Sequence, residues 1–194
     1  MAFSNTEMQR IRKSLLQEAR HCAIAVGMRK TSVEQLTEAA GISKGSFYKF
    51  FDSKEMVFFE VLTELHEEIY RAAQRALKEC SGLAPSERFA RAMLTACERL
   101  SDMGIMDFVQ NDAEYLLRRI PEKIREKYYQ EDRNNIRRLF EESGVCPKGG
   151  IDVAAAVIRG LTLTVAHRKQ LGECYPKALK TIVYGTCREL VLEG

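Results

Sequence analysis

Thr31-Ser32-Val33-Glu34-Gln35-Leu36-Thr37-Glu38-Ala39-Ala40-Gly41-Ile42-Ser43-Lys44-Gly45-Ser46-Phe47-Tyr48-Lys49-Phe50-Phe51-Asp52-Ser53-Lys54-Glu55 is the stretch that decides the fold. It holds two short helices, each with its own start signal. Ser32 and Gln35 stand at capping-box spacing, where each side chain can satisfy a free backbone N–H. Val33, Leu36 and Ala40 follow as an apolar stripe at helical spacing, and Gly41 ends that helix. Ile42 is an apolar plug, and Ser43 can cap a second helix running to about Phe50. Phe47 and Phe51, four apart, anchor this helix inward. Ser53 can cap the helix after it. A capped short helix, a tight glycine turn and a second capped helix make a helix-turn-helix, whose second helix enters the DNA major groove.

The inward aromatics leave Lys44, Ser46, Tyr48 and Lys49 at exposed positions. Lysines neutralise phosphates or reach guanine edges. Tyr48 can donate a hydrogen bond to phosphate and lay its ring on sugar. Gly45 costs about 1 kcal/mol against alanine inside a helix. Its bare backbone either approaches DNA or admits another helix in the core. Lys54 falls in the first turn of the next helix, where a cation is unfavourable. Either a phosphate partner or plain solvation accounts for it.

The rest of the chain fits an all-α protein. Of 194 residues, 45% are hydrophobic and 29% charged, with 4 Pro and 12 Gly. That balance suits a folded, helix-rich chain. No apolar run reaches the roughly 18 residues a span requires, and the polar start lacks a signal-peptide pattern. A cytoplasmic protein with no membrane partner is expected. The six cysteines, Cys22, Cys80, Cys97, Cys146, Cys174 and Cys187, form no C-x-x-C pair. Reduced, mostly buried thiols and no metal site are expected. Residues 1–54 carry a net charge of +4 and the remainder −1, as suits a basic head on a near-neutral body.

Apolar periodicity gives about nine helices and no alternating strand. The first runs from about Thr6 to Val26, with Ile11, Leu15, Ala19, Cys22, Ala23 and Val26 inward and Gly27 as its left-handed stop. Beyond the helix-turn-helix, helices are expected over about 54–80, 85–100, 105–119, 121–142, 152–170 and from Pro176 to the C-terminus. Residues 143–150 read as a loop. The expected division is a DNA-binding domain, 1–53, and a ligand-binding and dimerisation domain, 54–194.

The stretch from Thr31 to Glu55, with the apolar face and Gly27 before it, resembles the DNA-binding signature of the tetracycline-repressor (TetR) family. The resemblance covers roughly residues 10–60; later helices match in number and length only. It implies a bacterial regulator, a homodimeric repressor that a small molecule releases from double-stranded operator DNA. By position, Lys44 and Gly45 would face base edges. Thr31, Ser32, Tyr48, Lys49 and Lys54 would hold phosphates, with Ser43 and Ser46 completing the DNA-facing set. One departure is Phe50, where relatives often carry a polar residue or histidine.

A dimer is expected through the last two helices. Val153, Ala154, Val157, Ile158, Leu161 and Val165, with small Ala155, Ala156 and Gly160, line one; Leu179, Ile182, Val183, Thr186 and Leu190 line the other. The family places its effector in the body. Leu62, Phe89, Met93, Cys97, Met106, Phe108, Tyr115 and Tyr128 are candidate lining residues, though each also reads as plain core. His66 and His167 are candidate polar contacts. A ligand would change the spacing of two recognition helices, about 34–36 Å for one DNA turn, with the fourth helix carrying the shift. No G-x-S-x-G, H-E-x-x-H, P-loop or dinucleotide fingerprint points to an enzyme or a cofactor. The alternative is a helical DNA-binding protein without an inducer.

Overall fold

The computed structural model describes residues 3–192. In chain order the elements are α1 (Asn5–Ala25), α2 (Val33–Ala39), α3 (Lys44–Phe47), α4 (Lys54–Glu79), α5 (Pro85–Asp102), α6 (Met106–Asn111), α7 (Ala113–Arg119), α8 (Glu122–Ser143), β1 (Cys146–Pro147), α9 (Gly150–Ala166), α10 (Arg168–Leu171), a 3-10 turn (Gly172–Cys174), α11 (Tyr175–Leu190) and β2 (Val191–Leu192). The expected helical architecture is present.

The described residues form two compact units. One takes the chain up to Leu65 together with Ile105–Arg125; the other takes His66–Gly104 and the chain from Glu126 onward. These units group contacts differently from the expected domains, because the first part of α4 and the segment 105–125 join the N-terminal helices. In the first unit α1 packs on α2 and α6, and α2 on α3. Leu15, Met28, Leu36, Phe47, Phe58 and Phe108 are fully enclosed there. In the second, α5 packs on α9 and α11, and Phe89 meets Phe140 at 4.5 Å between ring centroids.

Local chemistry explains the helix ends. Ser4 and Glu7 form a capping box at the start of α1. Gly27, at φ 82°, provides the left-handed stop. Val26, expected inward, is instead 47% exposed, because the chain turns away there.

Four expectations are corrected. The single helix over 105–119 is two, α6 and α7, broken at Asp112, whose φ is −117°. Its carboxylate turns away to bond the Met28 N–H at 2.7 Å. The helix expected over 152–170 breaks at His167. Just before it, the Thr162 and Thr164 hydroxyls donate to the Arg159 and Leu161 carbonyls, both at 2.7 Å, competing with the helical ladder. The last helix ends at Leu190, and β2 pairs antiparallel with β1, Cys146 opposite Leu192 and Pro147 opposite Val191. Two residues are too few for alternation to register in a sequence. Finally, the thiols are not mostly buried: Cys22, Cys97 and Cys187 are, whereas Cys80 is half-buried and Cys146 and Cys174 are exposed.

Candidate nucleic-acid interface

The interface begins with two caps. The Ser32 N–H donates to Gln35 Oε1 at 2.8 Å, and the Gln35 N–H to Ser32 Oγ at 3.2 Å, closing the box that starts α2. Ser43 Oγ accepts the Ser46 N–H at 3.3 Å and starts α3. Gly41, at φ 66°, makes the turn between them. Ordered α-helix in α3 stops at Phe47, short of the expected Phe50.

Phe47 is fully buried. Its ring lies 5.9 Å from Phe51 and 5.4 Å from Tyr48. The Arg12 guanidinium sits 4.9 Å from the centre of the Phe51 ring and pairs through both terminal nitrogens with Glu60. Burying the two phenylalanines turns Lys44, Tyr48 and Lys49 outward; Tyr48 is 53% exposed. A Cβ built on Gly45 would meet nothing within 4 Å. No core helix therefore needs that glycine, and the reading in which it admits one is removed.

The exposed lysines are partly occupied by the chain itself. Lys44 Nζ donates to Glu34 at 2.5 Å, an exposed pair. That bond holds the Glu34 carboxyl below its ordinary value and raises the Lys44 ammonium above its own. Lys49 lies 5.5 Å from the centre of the Phe3 ring, and Phe3 packs on Phe50 at 5.9 Å. This accounts for an apolar residue at position 50: it seats Phe3 beside α3.

Two expected phosphate contacts are committed elsewhere. Thr31 is 2% exposed, and its hydroxyl donates to the Gly27 carbonyl at 2.9 Å. Lys54 Nζ donates to the Met28 and Thr31 carbonyls at 2.9 and 2.7 Å. Both side chains hold the corner between α1 and α2 from within. Replacing Lys54 with Met should lower stability by ~1–3 kcal/mol, the range for hydrogen bonds to a charged group, and leave the salt dependence of DNA binding unchanged. Thermal melts and salt titrations check both.

The nine candidate effector residues divide between the units. Leu62, Met106, Phe108 and Tyr115 belong to the first, and His66, Phe89, Met93, Cys97 and Tyr128 to the second. Tyr115 is corrected as a lining residue: it is exposed, with Arg119 4.5 Å and Arg29 5.8 Å from its ring centre. His167, the other polar candidate, is exposed at the helix break. Leu62, Phe89, Met93, Cys97, Met106, Phe108 and Tyr128 are buried. Burial pushes the Cys97 thiol up to about 12, so it behaves as a small apolar group.

A polar network in the second unit was missed. Buried Asp132 on α8 accepts from the Tyr70 hydroxyl at 2.6 Å and from Arg159 Nη2 at 2.7 Å. Tyr128 stacks on His66 at 5.1 Å, with its hydroxyl 3.1 Å from the ring nitrogens. The signal was present: His66 with Tyr70, and Tyr128 with Asp132, are polar pairs four apart, so each pair shares a helix face.

Burial holds the His66 imidazole below its ordinary 6.5, with Asp132 pulling the other way and Arg159 adding to the fall. The unfolded chain therefore binds the proton first. Stability should be full above pH 6.5 and fall as pH drops from there through the lower folded-state value. His66→Gln should flatten this part of a melting-temperature profile.

Among the described residues, no single helix is long and apolar enough to cross a membrane, and no group of three or more His, Cys, Asp or Glu is placed to hold a metal ion.

Comparison with known proteins adds the following. The family described as bacterial regulatory proteins, tetR family, matches residues 15–61. The HTH-type transcriptional repressor KstR2 of Mycolicibacterium smegmatis is 32% identical over 114 residues, 51% of this chain and 56% of the relative. The chain spans about half the length of the curated relatives it matches. The structure of NalD, the secondary repressor of the MexAB-OprM multidrug efflux pump in Pseudomonas aeruginosa, is similar with a TM-score of 0.63 at 19% identity, over 96% of this chain and 99% of that one. FadR from Bacillus subtilis in complex with stearoyl-CoA is similar with a TM-score of 0.63 at 17% identity, over 90% of this chain and 96% of that one. At these identities the two structures speak for the fold.

Proposed function

We propose that this chain, whose residues 15–61 match the tetR family of bacterial regulatory proteins, is a member of that family: a transcriptional repressor that binds operator DNA as a homodimer and is released by a small molecule. The observation that carries the reading is the exposed face of α3 and the turn after it. Lys44, Tyr48 and Lys49 point outward around a bare Gly45, over a buried Phe47 and Phe51. Lys44 and the Gly45 backbone meet base edges, and Ser32, Ser43, Ser46, Tyr48 and Lys49 meet phosphate and sugar. Thr31 and Lys54 support this face by fixing the corner behind it. Residues 1–53 act as the DNA-binding part and residues 54–194 as the effector and dimer part, working in the cytoplasm.

Pairing uses one face each of α9 and α11. Of the residues expected on that face, Ala154, Ala155, Leu161, Val165, Leu179, Val183 and Leu190 are buried within the chain; Val153, Ala156, Gly160 and Ile182 are exposed, joined by Leu163, 65% exposed, and Gly185. A Cβ on Gly160 or Gly185 would meet nothing within 4 Å, which leaves room for the helices of a second copy to approach closely. Leu163→Glu should shift the chain from dimer to monomer in sedimentation equilibrium, with helix content retained.

The effector reading draws on the Met, aromatic and aliphatic side chains of the body, with His66 and Tyr128 as polar contacts. Stearoyl-CoA, bound to FadR, is the first ligand to titrate. The expected result is a loss of operator affinity with a matching gain in thermal stability without DNA. One observation favours the alternative of a DNA-binding protein with no inducer: both oxygens of the buried Asp132 carboxylate already accept from the chain's own Tyr70 and Arg159. If none of a broad panel of metabolites changed operator affinity, that alternative would stand.

A further inference from the structure

We propose that Asp112 is the positioning residue of the DNA-reading face: its carboxylate clamps the corner between α1 and α2, and so fixes the angle at which α2 and α3 meet a duplex. This rests on the DNA-binding reading. Asp112 lies at the break between α6 and α7, in a segment the chain reaches about 80 residues after the corner it holds. It is 3% exposed. Burying a carboxylate is costly unless it is hydrogen-bonded, and here both oxygens are used. Oδ2 accepts the Met28 backbone N–H at 2.7 Å, and Oδ1 accepts from Arg29 Nε at 2.8 Å. The approach depends on Gly27, where a Cβ would lie 2.5 Å from Oδ2.

The corner leads directly into the reading elements. Met28 is fully buried, Thr31 is nearly so, and Ser32 then caps α2. The same few residues receive the Lys54 ammonium and the Thr31 hydroxyl. Those two ties come from the N-terminal helices and their turns. Asp112 ties the corner to the segment 105–125, which also meets α4 through Phe108 against Phe58 at 6.0 Å and Arg119 near Glu55 at 3.7 Å. Releasing Asp112 frees the corner without removing any group that touches DNA.

That distinction makes the role measurable. Loss of a positioning group lowers the fraction of protein in the binding-competent arrangement, and apparent affinity falls by that fraction. Loss of a phosphate contact also reduces the salt slope by about one. The test uses the full chain and its selected operator duplex, with helix content followed by circular dichroism. Asp112→Ala should weaken operator binding by about tenfold or more, as a competent fraction of roughly a tenth requires, at an unchanged salt slope. Asp112→Asn, which keeps an acceptor for the Met28 N–H, should lose less; it carries the comparison if the alanine variant does not fold. In the wild-type chain the Met28 amide should exchange slowly. A folded Asp112→Ala protein binding within about twofold of wild type, a reduced salt slope, or fast exchange at Met28 in the wild type would overturn the proposal. Absence of any duplex binding by the wild type would instead remove the functional reading, while the Met28 exchange would still report on the clamp.

Discussion

Replacing Lys44 and Lys49 together with alanine is expected to weaken operator binding by at least about 100-fold, with helix content unchanged. The two ammonium groups stand on the same exposed surface, one at the first residue of α3 and one just past its end. Neither lies in the core, so their removal leaves the Phe47 and Phe51 anchors and both serine caps in place. Part of the loss is electrostatic and independent of sequence: with Lys49 on phosphate and Lys44 on a base edge, the salt slope should drop by about one and sequence preference should relax. A drop close to two, with sequence preference kept, would move Lys44 to a phosphate instead. Fluorescence anisotropy across a salt series reads both numbers.

Phe47→Ala should have the largest effect on stability. The ring is wholly enclosed and touches both Tyr48 and Phe51. Truncating a buried phenylalanine costs about 3–5 kcal/mol, a large share of the roughly 5–15 kcal/mol that holds a domain folded. The melting temperature should fall by roughly 10 °C. Because α3 is only four residues long, it has little helical stability of its own and depends on this anchor. Operator binding should be lost at temperatures where the helices of the second unit still give a strong dichroism signal. A variant that melts and binds like the wild type would show that α3 is held by something other than its phenylalanines.

What could be read from the sequence was local. The Ser32–Gln35 box, the Ser43 cap, the Gly27 and Gly41 stops and the Phe47–Phe51 pair all act within about four residues, the range over which helix caps and faces are encoded. Features that join distant segments were hidden. Nothing near Asp112 indicates that its partner is the Met28 N–H. Lys54 looked like a misplaced cation because the two carbonyls it satisfies lie more than twenty residues earlier. Thr31 fitted a phosphate contact by position, yet its hydroxyl turns back to Gly27. The Asp132 network left a trace in paired polar residues at helical spacing, but which oxygen meets which donor depends on how α4, α8 and α9 are brought together. The break at His167 and the short β pairing depend on individual backbone angles that composition does not register.

Every role proposed for this chain depends on the face built on α3 reading a DNA duplex. Selection of bound sequences from a random duplex pool by the full chain tests this most directly. The expected result is enrichment of a two-fold symmetric site whose half-sites are spaced by whole helical turns, recognised with a steep salt dependence. A pool that stays random through successive rounds, with weak binding that ignores sequence, would contradict it.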